Sequence, residues 1–297
     1  MAKLKIEHIK GNTYYIPSPS NVGIYVDDGK AILVDSGNDK EAGKQILRLL
    51  NEQGWDLEAI INTHSNADHI GGNSYLQDKT NCRVLATRME SAFINDPVLE
   101  PAFLFGGFPM KDLHNKFLTA KPSRVTSVIS SSGRIEGTPL EAIPLPGHFF
   151  DMIGVMTPDK VFFIADSVFP ENIINKYHLF VLFDIKSHME TLERLREFEA
   201  DIYIPSHGEK TQDLGRLIEV NKAKIEEIAG FILDKCLPAC TFDEILQKVC
   251  LEYNVQLNPT QYVLVASTLK AFLVYLYERQ ELAFKFEEGK MLWESRR

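Results

Sequence analysis

Four apolar, strand-like stretches of this chain each end on a residue that can bind a metal ion, and this recurrence constrains the fold most. The first stretch, residues 57–61, leads into a polar segment over residues 63–72, and the other three end at His148, Asp166 and His207. Loops that leave neighbouring strands meet at one edge of a sheet, and the sheet fixes their side chains. The pattern therefore predicts one shared site on the rim of a sheet.

The segment over residues 63–72 carries two imidazoles, a carboxylate and an amide within six residues. In an extended segment, residues at i and i+2 point to the same side, so His64 and Asn66 can share one binding point. Asp68 and His69 follow at the turn into the next element, where they can face a second binding point. Imidazole nitrogens and carboxylate oxygens are the ligands of divalent metals. The alternative is a polar loop whose histidines are close by chance, and the three further strand ends disfavour it.

These residues, in this order, resemble the motifs of the metallo-β-lactamase superfamily of hydrolases. The family pattern is His-x-His-x-Asp-His, then Gly-His, an Asp at a strand end and a last His before Gly. The resemblance covers roughly residues 10–215. The matching residues are His64, Asp68, His69, His148, Asp166 and His207, with Asp35 at the family's early Asp-x-Gly position. The resemblance implies an α/β fold, the four-layer αββα sandwich, but it does not specify a substrate because such folds host many chemistries.

The resemblance also implies two metal ions and a division of the ligands. The ligands form a first cluster (His64, residue 66 and His148) and a second cluster (Asp68, His69 and His207), and Asp166 bridges the two. This chain departs from the family at Asn66, where the second histidine normally stands. An amide oxygen is a weaker donor toward zinc than an imidazole nitrogen, so we expect a weakened first metal site.

Three outcomes remain open at this point. The chain can hold two ions with a weak Asn66 ligand, a single ion at the second cluster, or a harder metal such as iron or manganese. Because His64 and His148 are both retained, we expect two divalent ions, with zinc as the default and iron or manganese as the alternative.

The periodicity of apolar residues predicts two domains. Strands alternate with helices over residues 1–215, beginning with a strand over residues 3–9, and this order fits two sheets between helical layers. Residues 216–297 read as a small, mainly helical domain that resembles a winged helix. Its features are a capping box from Thr241 to Glu244, a helix start at Asn258-Pro259 and a hairpin turn at Glu288-Gly289. We expect this domain to serve in packing, in dimerisation or in covering the active site.

Charge and composition narrow the class of partner. The chain has a net charge of -9, and residues 216–297 carry 11 Lys and Arg against 12 Asp and Glu, so we expect no nucleic acid partner. No window reaches the roughly 18 apolar residues of a membrane span, and the start lacks an apolar secretory core. Four cysteines form no disulfide framework; Cys236 and Cys240 fit buried thiols better than a metal pair. We expect a cytoplasmic protein that acts on a small molecule and has the option of forming a homodimer.

Two apolar, irregular segments flank the motifs, over residues 96–122 and 169–183. One interpretation is simple packing of connecting loops. The other is an apolar wall or lid over the metals, because ligand sites are mostly apolar with few polar anchors. In the second case Phe105, Tyr177 and His178 are candidate substrate contacts.

The ligand chemistry predicts a metal-dependent hydrolase. A divalent metal lowers the pKa of its bound water to about 7, which yields hydroxide at neutral pH. By the resemblance, Asp68 would also orient that water or move its proton. We expect attack on an ester-like bond in a thioester, lactone or carboxylic ester, with a phosphodiester less favoured. The alternatives are an iron-dependent redox or dioxygenase enzyme on the same fold and a non-catalytic metal-binding regulatory protein. The intact Asp68, His69, Asp166 and His207 argue against the last of these.

Overall fold

The computed structural model describes residues 4–297, so Lys3 of the predicted first strand lies outside the described residues and the strand itself begins at Glu7. The first sheet has seven strands whose spatial order is their chain order. They are β1 (Glu7–Lys10), β2 (Thr13–Ile16), β3 (Val22–Asp27), β4 (Lys30–Val34), β5 (Asp56–Ile61), β6 (Arg83–Ala86) and β7 (Ser127–Val128). Strands β4 to β7 are parallel, so the loops after β4 and β5 leave the sheet at the same edge.

The second sheet has five strands in the spatial order β12-β11-β10-β9-β8. They are β8 (Gly133–Arg134), β9 (Glu141–Pro144), β10 (Ile153–Met156), β11 (Val161–Phe163) and β12 (Ile202–Ile204). Strands β11 and β12 pair in parallel with Phe163 opposite Ile204, so the segments that follow them emerge side by side. This arrangement brings Asp166 and His207 to the same edge.

Helices cover the outer faces of the sheets. They are α1 (Lys40–Gln53), α2 (Ala67–Ile70), α3 (Asn73–Thr80), α4 (Arg88–Asn95), α5 (Leu99–Phe105), α6 (Glu171–Tyr177) and α7 (Ile185–Arg194), with short 3-10 turns at Lys111–Leu113 and Ala165–Ser167. The spacing of apolar residues predicts a helix from about residue 188 to 198, whereas α7 starts earlier. The reason is Asp184, whose side chain caps the helix by accepting the Ser187 N–H.

Alternating strand residues build a four-layer sandwich. Ile32 and Val34 of β4 face the second sheet and pack in one apolar cluster with Val155 and Phe163. The intervening residues of β4 point the other way, onto a cluster that includes Ile46 of α1. The outer face of the second sheet packs against α7 and the helices that follow it. The layers are therefore helix, sheet, sheet and helix, as the sequence predicts.

The C-terminal part of the chain contains three helices and a small three-stranded sheet. They are α8 (Gly215–Lys235), β13 (Cys240–Thr241), α9 (Phe242–Glu252), α10 (Pro259–Glu278), β14 (Leu282–Glu287) and β15 (Lys290–Ser295), with the sheet order β13-β15-β14. The predicted capping box of α9 and the Asn258 cap of α10 are both confirmed. The winged-helix assignment and the division at residue 215 stay predictions.

This C-terminal part shares its core with the sandwich. Ile225 of α8 and Leu269 of α10 belong to the same buried cluster as Phe162 of β11. Val263 of α10 also packs against Leu104 of α5, so the last long helix supports the irregular segment over residues 96–122. Within that segment the structure forms α5 and one 3-10 turn, joined by irregular chain.

The remaining sequence expectations concern cysteines and membranes. All four cysteines are free, and Cys82, Cys236 and Cys240 are buried, which fits buried thiols. Among residues 4–297, no helix is both long enough and apolar enough to cross a membrane.

Candidate metal centre

Six of the seven predicted metal-site residues lie in segments that leave the adjoining edges of the two sheets. His64 follows β5, while Asn66 and Asp68 lie at the start of α2. His148 follows β9, Asp166 follows β11 and His207 follows β12. The seventh, His69, is in α2 and returns to the same point because α2 is only one turn long. The fold therefore gathers residues that lie up to 143 positions apart, from 64 to 207.

The first cluster, with Asp166, has close ligand atoms. His64, His148 and Asp166 offer atoms that all lie within 4.8 Å of one another. The Nε2 atom of His148 lies 3.5 Å from Asp166 Oδ2 and 3.0 Å from Asn66 Oδ1. The amide oxygen of Asn66 thus faces the point where the histidines converge.

The second cluster is built as tightly. Asp68, His69 and His207 also offer atoms within 4.8 Å of one another. Asp68 Oδ2 lies 3.6 Å from His69 Nε2 and 3.4 Å from His207 Nε2. Asp166 lies between the clusters, since its Oδ1 is 3.5 Å from His69 Nε2 and its Oδ2 is 3.3 Å from His207 Nε2. This carboxylate is placed to serve both clusters.

Hydrogen bonds at the Nδ1 atoms orient all four histidines in the same sense. His69 Nδ1 donates to Asp35 Oδ2 at 2.9 Å, His148 Nδ1 to the Val181 carbonyl at 2.7 Å and His207 Nδ1 to the Pro19 carbonyl at 2.6 Å. His64 Nδ1 lies 3.0 Å from Thr63 Oγ1, which itself donates to Asp35. With Nδ1 as the donor, each Nε2 faces the shared site and offers a lone pair there when the ring is neutral.

These residues fit divalent metal ions. His64 Nε2, His69 Nε2 and Asp166 Oδ1 are buried and have no hydrogen-bond partner. Buried polar atoms without partners are costly in a folded protein, and convergence of such atoms on one point is explained by a cation between them. Nitrogen and carboxylate donors in this number suit zinc and the neighbouring transition metals.

The charge balance of the site also calls for cations. Burial lowers the pKa of His69, but Asp68, Asp166 and Asp35 outweigh that effect and raise this pKa to about 9. Likewise burial lowers the pKa of His207, while Asp166 and Asp68 raise it to about 12. In His64 and His148 burial dominates and lowers the pKa. Carboxylates therefore dominate the electrostatics at the histidines of the second cluster, whereas burial dominates at those of the first.

Three supporting residues escaped the sequence analysis. Ser20 donates to Asp68 Oδ2 at 2.7 Å, and Asn66 Nδ2 donates to Glu100 Oε1 at 2.8 Å. Glu90 accepts from the Ser65 N–H at 2.9 Å and from the Asp151 N–H at 2.8 Å, so it ties the loop carrying His64 to the loop after His148. Burial raises the pKa of Glu90 to about 7. Burial also raises the pKa of Glu100 well above its ordinary value. No motif spacing marks these positions, because each lies on a different element.

The three predicted substrate contacts lie at the ends of α5 and α6. Phe105 ends α5 and is 38% exposed, and Tyr177 ends α6, where it contacts Lys176. His178 packs against Tyr253 with 5.3 Å between ring centroids. None of the three is hydrogen-bonded to a predicted ligand within the described residues, so their role in substrate binding stays a prediction.

The fold and the two clusters of His and Asp at one edge of the sandwich agree with the family that the sequence motifs resemble. The model of the metallo-beta-lactamase superfamily matches residues 15–207. The chain therefore belongs to the metallo-beta-lactamase superfamily.

Two kinds of relatives refine this placement. The chain is 33% identical over 150 residues to a hydroxyacylglutathione hydrolase from Rhodopseudomonas palustris, a match that covers 50% of this chain and 48% of the relative. It is 25% identical over 206 residues to a "Probable metallo-hydrolase" from Bacillus subtilis, covering 67% of this chain and 89% of that one. The chain thus matches about half the length of the hydroxyacylglutathione hydrolases.

Solved structures share the fold over nearly the whole chain. A beta-lactamase domain protein from Burkholderia ambifaria has a TM-score of 0.73 at 18% identity, covering 98% of this chain and 93% of that one. A metallo-beta-lactamase family protein from Thermus thermophilus has a TM-score of 0.71 at 18% identity, covering 99% of both chains. The C-terminal part therefore belongs to an architecture that other proteins also have.

Proposed function

We propose that this protein hydrolyses carboxylic thioesters. The observation that carries the proposal is the pair of ligand clusters that share Asp166, with atoms within 4.8 Å in each cluster. The resemblance to hydroxyacylglutathione hydrolases supports a thioester over other bonds, because an acylglutathione is a thioester. Lactones and other carboxylic esters are the next candidates, and phosphodiesters follow.

The metal content that we propose is two divalent ions. Zinc fits the second cluster, whose donors are two imidazoles and a carboxylate. The amide oxygen of Asn66 is a harder ligand than an imidazole nitrogen. The first cluster therefore favours iron or manganese more than it would with a histidine at position 66. Ions held here would polarise the substrate carbonyl and activate a water molecule for attack.

The protein's own groups would position the reactants and move protons. Asp68 is partly exposed, unlike the deeply buried Asp166, so a proton can reach it from the substrate side. Ser20 donates to Asp68 and fixes one of its oxygens. We infer that Asp68 accepts a proton from the attacking water and passes one to the leaving thiolate. Asp35 holds His69 in its ligand orientation and takes no part in proton transfer.

An aromatic cluster beside the first cluster would receive the acyl group. It consists of Phe103, Phe150 and Phe183, whose ring centroids lie 4.2–5.6 Å apart. Phe183 N–H donates to the Gly147 carbonyl, and Phe150 follows His148 by two residues, so this surface adjoins the site. Phe103 and Phe183 are 37% and 38% exposed. An exposed aromatic surface next to the ligands favours a thioester with an apolar acyl group.

The test is a release assay for free thiol with glutathione and coenzyme A thioesters of increasing acyl length, run beside a lactone, a carboxylic ester and a phosphodiester. We expect thioester hydrolysis to be fastest. Asp68→Asn should slow it by about 100-fold or more, as loss of a proton-transfer group does, while Asp78→Asn on the exposed face of α3 should leave it unchanged. Cleavage of the phosphodiester without any thioester hydrolysis would overturn the proposal.

A further inference from the structure

The amide of Asn66 lies between Glu100, which accepts a hydrogen bond from it, and the first cluster, where a cation would need its oxygen. Its Nδ2 atom donates to Glu100 Oε1 at 2.8 Å, and its Oδ1 atom lies 3.0 Å from His148 Nε2. An amide has one face that donates and one that accepts, so these two neighbours cannot be exchanged without loss.

The reversed amide would be unfavourable toward Glu100 and, on the other side, would oppose a cation in the first cluster. Its oxygen would then face the oxygen of Glu100, which is an acceptor, and its two N–H groups would point at the site where His64 and His148 converge. A donor cannot bind a cation, and two facing acceptors repel. Glu100 therefore selects the orientation in which the amide oxygen faces the first cluster.

Glu100 is held firmly enough to impose this choice. It is 5% exposed and lies in the first turn of α5, 34 residues after Asn66. The same helix is fixed at its other end, where Leu104 packs against Val263 of α10. A buried acceptor on a packed helix is a rigid partner for the amide.

We propose that Glu100 is a positioning residue for the first cluster, and that it presents the Asn66 oxygen as a metal ligand in place of the missing imidazole. The inference rests on the proposed two-ion centre and goes beyond it, because it assigns a role to a residue outside the motif. Glu100 acts through Asn66 and touches neither the ions nor the substrate.

The test is a calorimetric titration of metal-free protein with zinc and, separately, with manganese. The binding step that His64→Ala removes is assigned to the first cluster. Glu100→Ala should weaken that step by about tenfold, the usual effect of losing a residue that orients a ligand. Glu100→Gln should lose less affinity than Glu100→Ala, because its amide oxygen can still accept from Asn66 Nδ2, although its N–H groups also allow the reversed amide. The step that belongs to the second cluster should not change in either variant.

Repeating the Glu100→Ala substitution in the Asn66→His variant distinguishes loss of amide orientation from a general disturbance of the structure. In Asn66→His the ligand is a ring nitrogen that needs no amide orientation, so adding Glu100→Ala should leave the first step unchanged. An equal loss in both backgrounds would overturn the proposal, as would full affinity in Glu100→Ala alone.

This binding experiment is independent of the thioester assay. If thioesters are hydrolysed but Glu100→Ala binds metal normally, only the role of Glu100 fails. If the binding pattern holds and no thioester is hydrolysed, only the proposed function fails.

Discussion

The two ligand clusters of this site are neighbours but differ in how they would attract an ion. In the second cluster, carboxylates surround the imidazoles and raise the pKa of His69 to about 9 and of His207 to about 12 against the effect of burial. In the first cluster, burial prevails and lowers the pKa of His64 and His148. The second cluster therefore attracts a cation by the charge of Asp68 and Asp166, whereas the first shares only Asp166 and depends more on the exact placement of its neutral donors. Asn66 and Glu100 bear on this placement, because Asn66 offers one of the donors and Glu100 orients its amide.

The strongest test of the comparison removes the residue that both clusters share. Asp166 faces His148 on one side and His69 and His207 on the other. Asp166→Ala should therefore lower the metal content to roughly half of the wild-type value or less. Elemental analysis after gel filtration measures it, with the exposed Asp78→Ala as the matched control. Wild-type metal content in Asp166→Ala would show that the clusters do not share this ligand.

Gly147→Ala should affect metal binding at the first cluster but not at the second. Gly147 has φ of 128°, and an added Cβ would lie 2.4 Å from the backbone of His188. We expect a loss of about 1–3 kcal/mol in the free energy of unfolding, together with loss of the first-cluster ion because His148 is displaced. Gly133→Ala also has a positive φ but meets no atom within 4 Å, so it isolates the clash from the backbone strain. Loss of both ions in Gly147→Ala would mean that the clusters do not act separately.

His188 should make the surroundings of the first cluster sensitive to acid. It is fully buried, both ring nitrogens lack partners, and burial lowers its pKa to about 3 from the ordinary 6.5. Between pH 3 and 6.5 the unfolded chain binds more protons at His188 than the folded chain does. Protonation therefore does not lower the free energy of unfolding above pH 6.5, and it lowers this free energy progressively as the pH falls from 6.5 toward 3. Between pH 7.5 and 5.0 this loss is about 2 kcal/mol.

Replacement by leucine removes that proton-linked loss. Urea unfolding of metal-free His188→Leu should show a smaller decrease in stability between pH 7.5 and 5.0 than the wild type shows. The exposed His8→Leu should behave as the wild type does. An identical decrease in His188→Leu and wild type would mean that folding does not lower the pKa of His188.

Asn66→His should reduce the difference between the clusters. An imidazole nitrogen replaces a neutral oxygen, so the first cluster should bind zinc about tenfold more tightly, or about 1.4 kcal/mol. Manganese should gain less, because it prefers oxygen ligands. Parallel titrations of zinc and manganese measure both effects. Unchanged affinity of the first cluster for zinc would mean that residue 66 does not face the ion.

The smallest expected effect concerns the acyl group. Phe103→Ala removes one ring of the aromatic cluster. The preference for long over short acyl thioesters, measured as a ratio of kcat/KM values, should fall by about 3–10-fold. Phe286→Ala, which removes an exposed ring of the C-terminal hairpin, serves as the control. A ratio that does not change would assign Phe103 to packing alone.

Much of the fold was predictable because its cause is local. The apolar run over residues 57–61 and the caps of α9 and α10 are short-range patterns, and the structure confirms them as strand β5 and two helix starts. The spacing of apolar residues predicted the start of α7 three residues late. The helix begins earlier because the side chain of Asp184 caps it. The boundary at residue 215 stays a prediction, and the core shared by β11 and α10 shows how closely the two parts pack.

The sequence by itself determined which residues we predict as metal ligands, because their types and order along the chain reflect strand ends that can be recognised one at a time. Only the tertiary structure decided how those residues are supported. Ser20, Glu90 and Glu100 reach the site from a loop and two helices, and no periodicity links them to the motif. The physical reason is that a hydrogen bond depends on distance and direction in space, and packing brings together groups whose separation along the chain carries no signal.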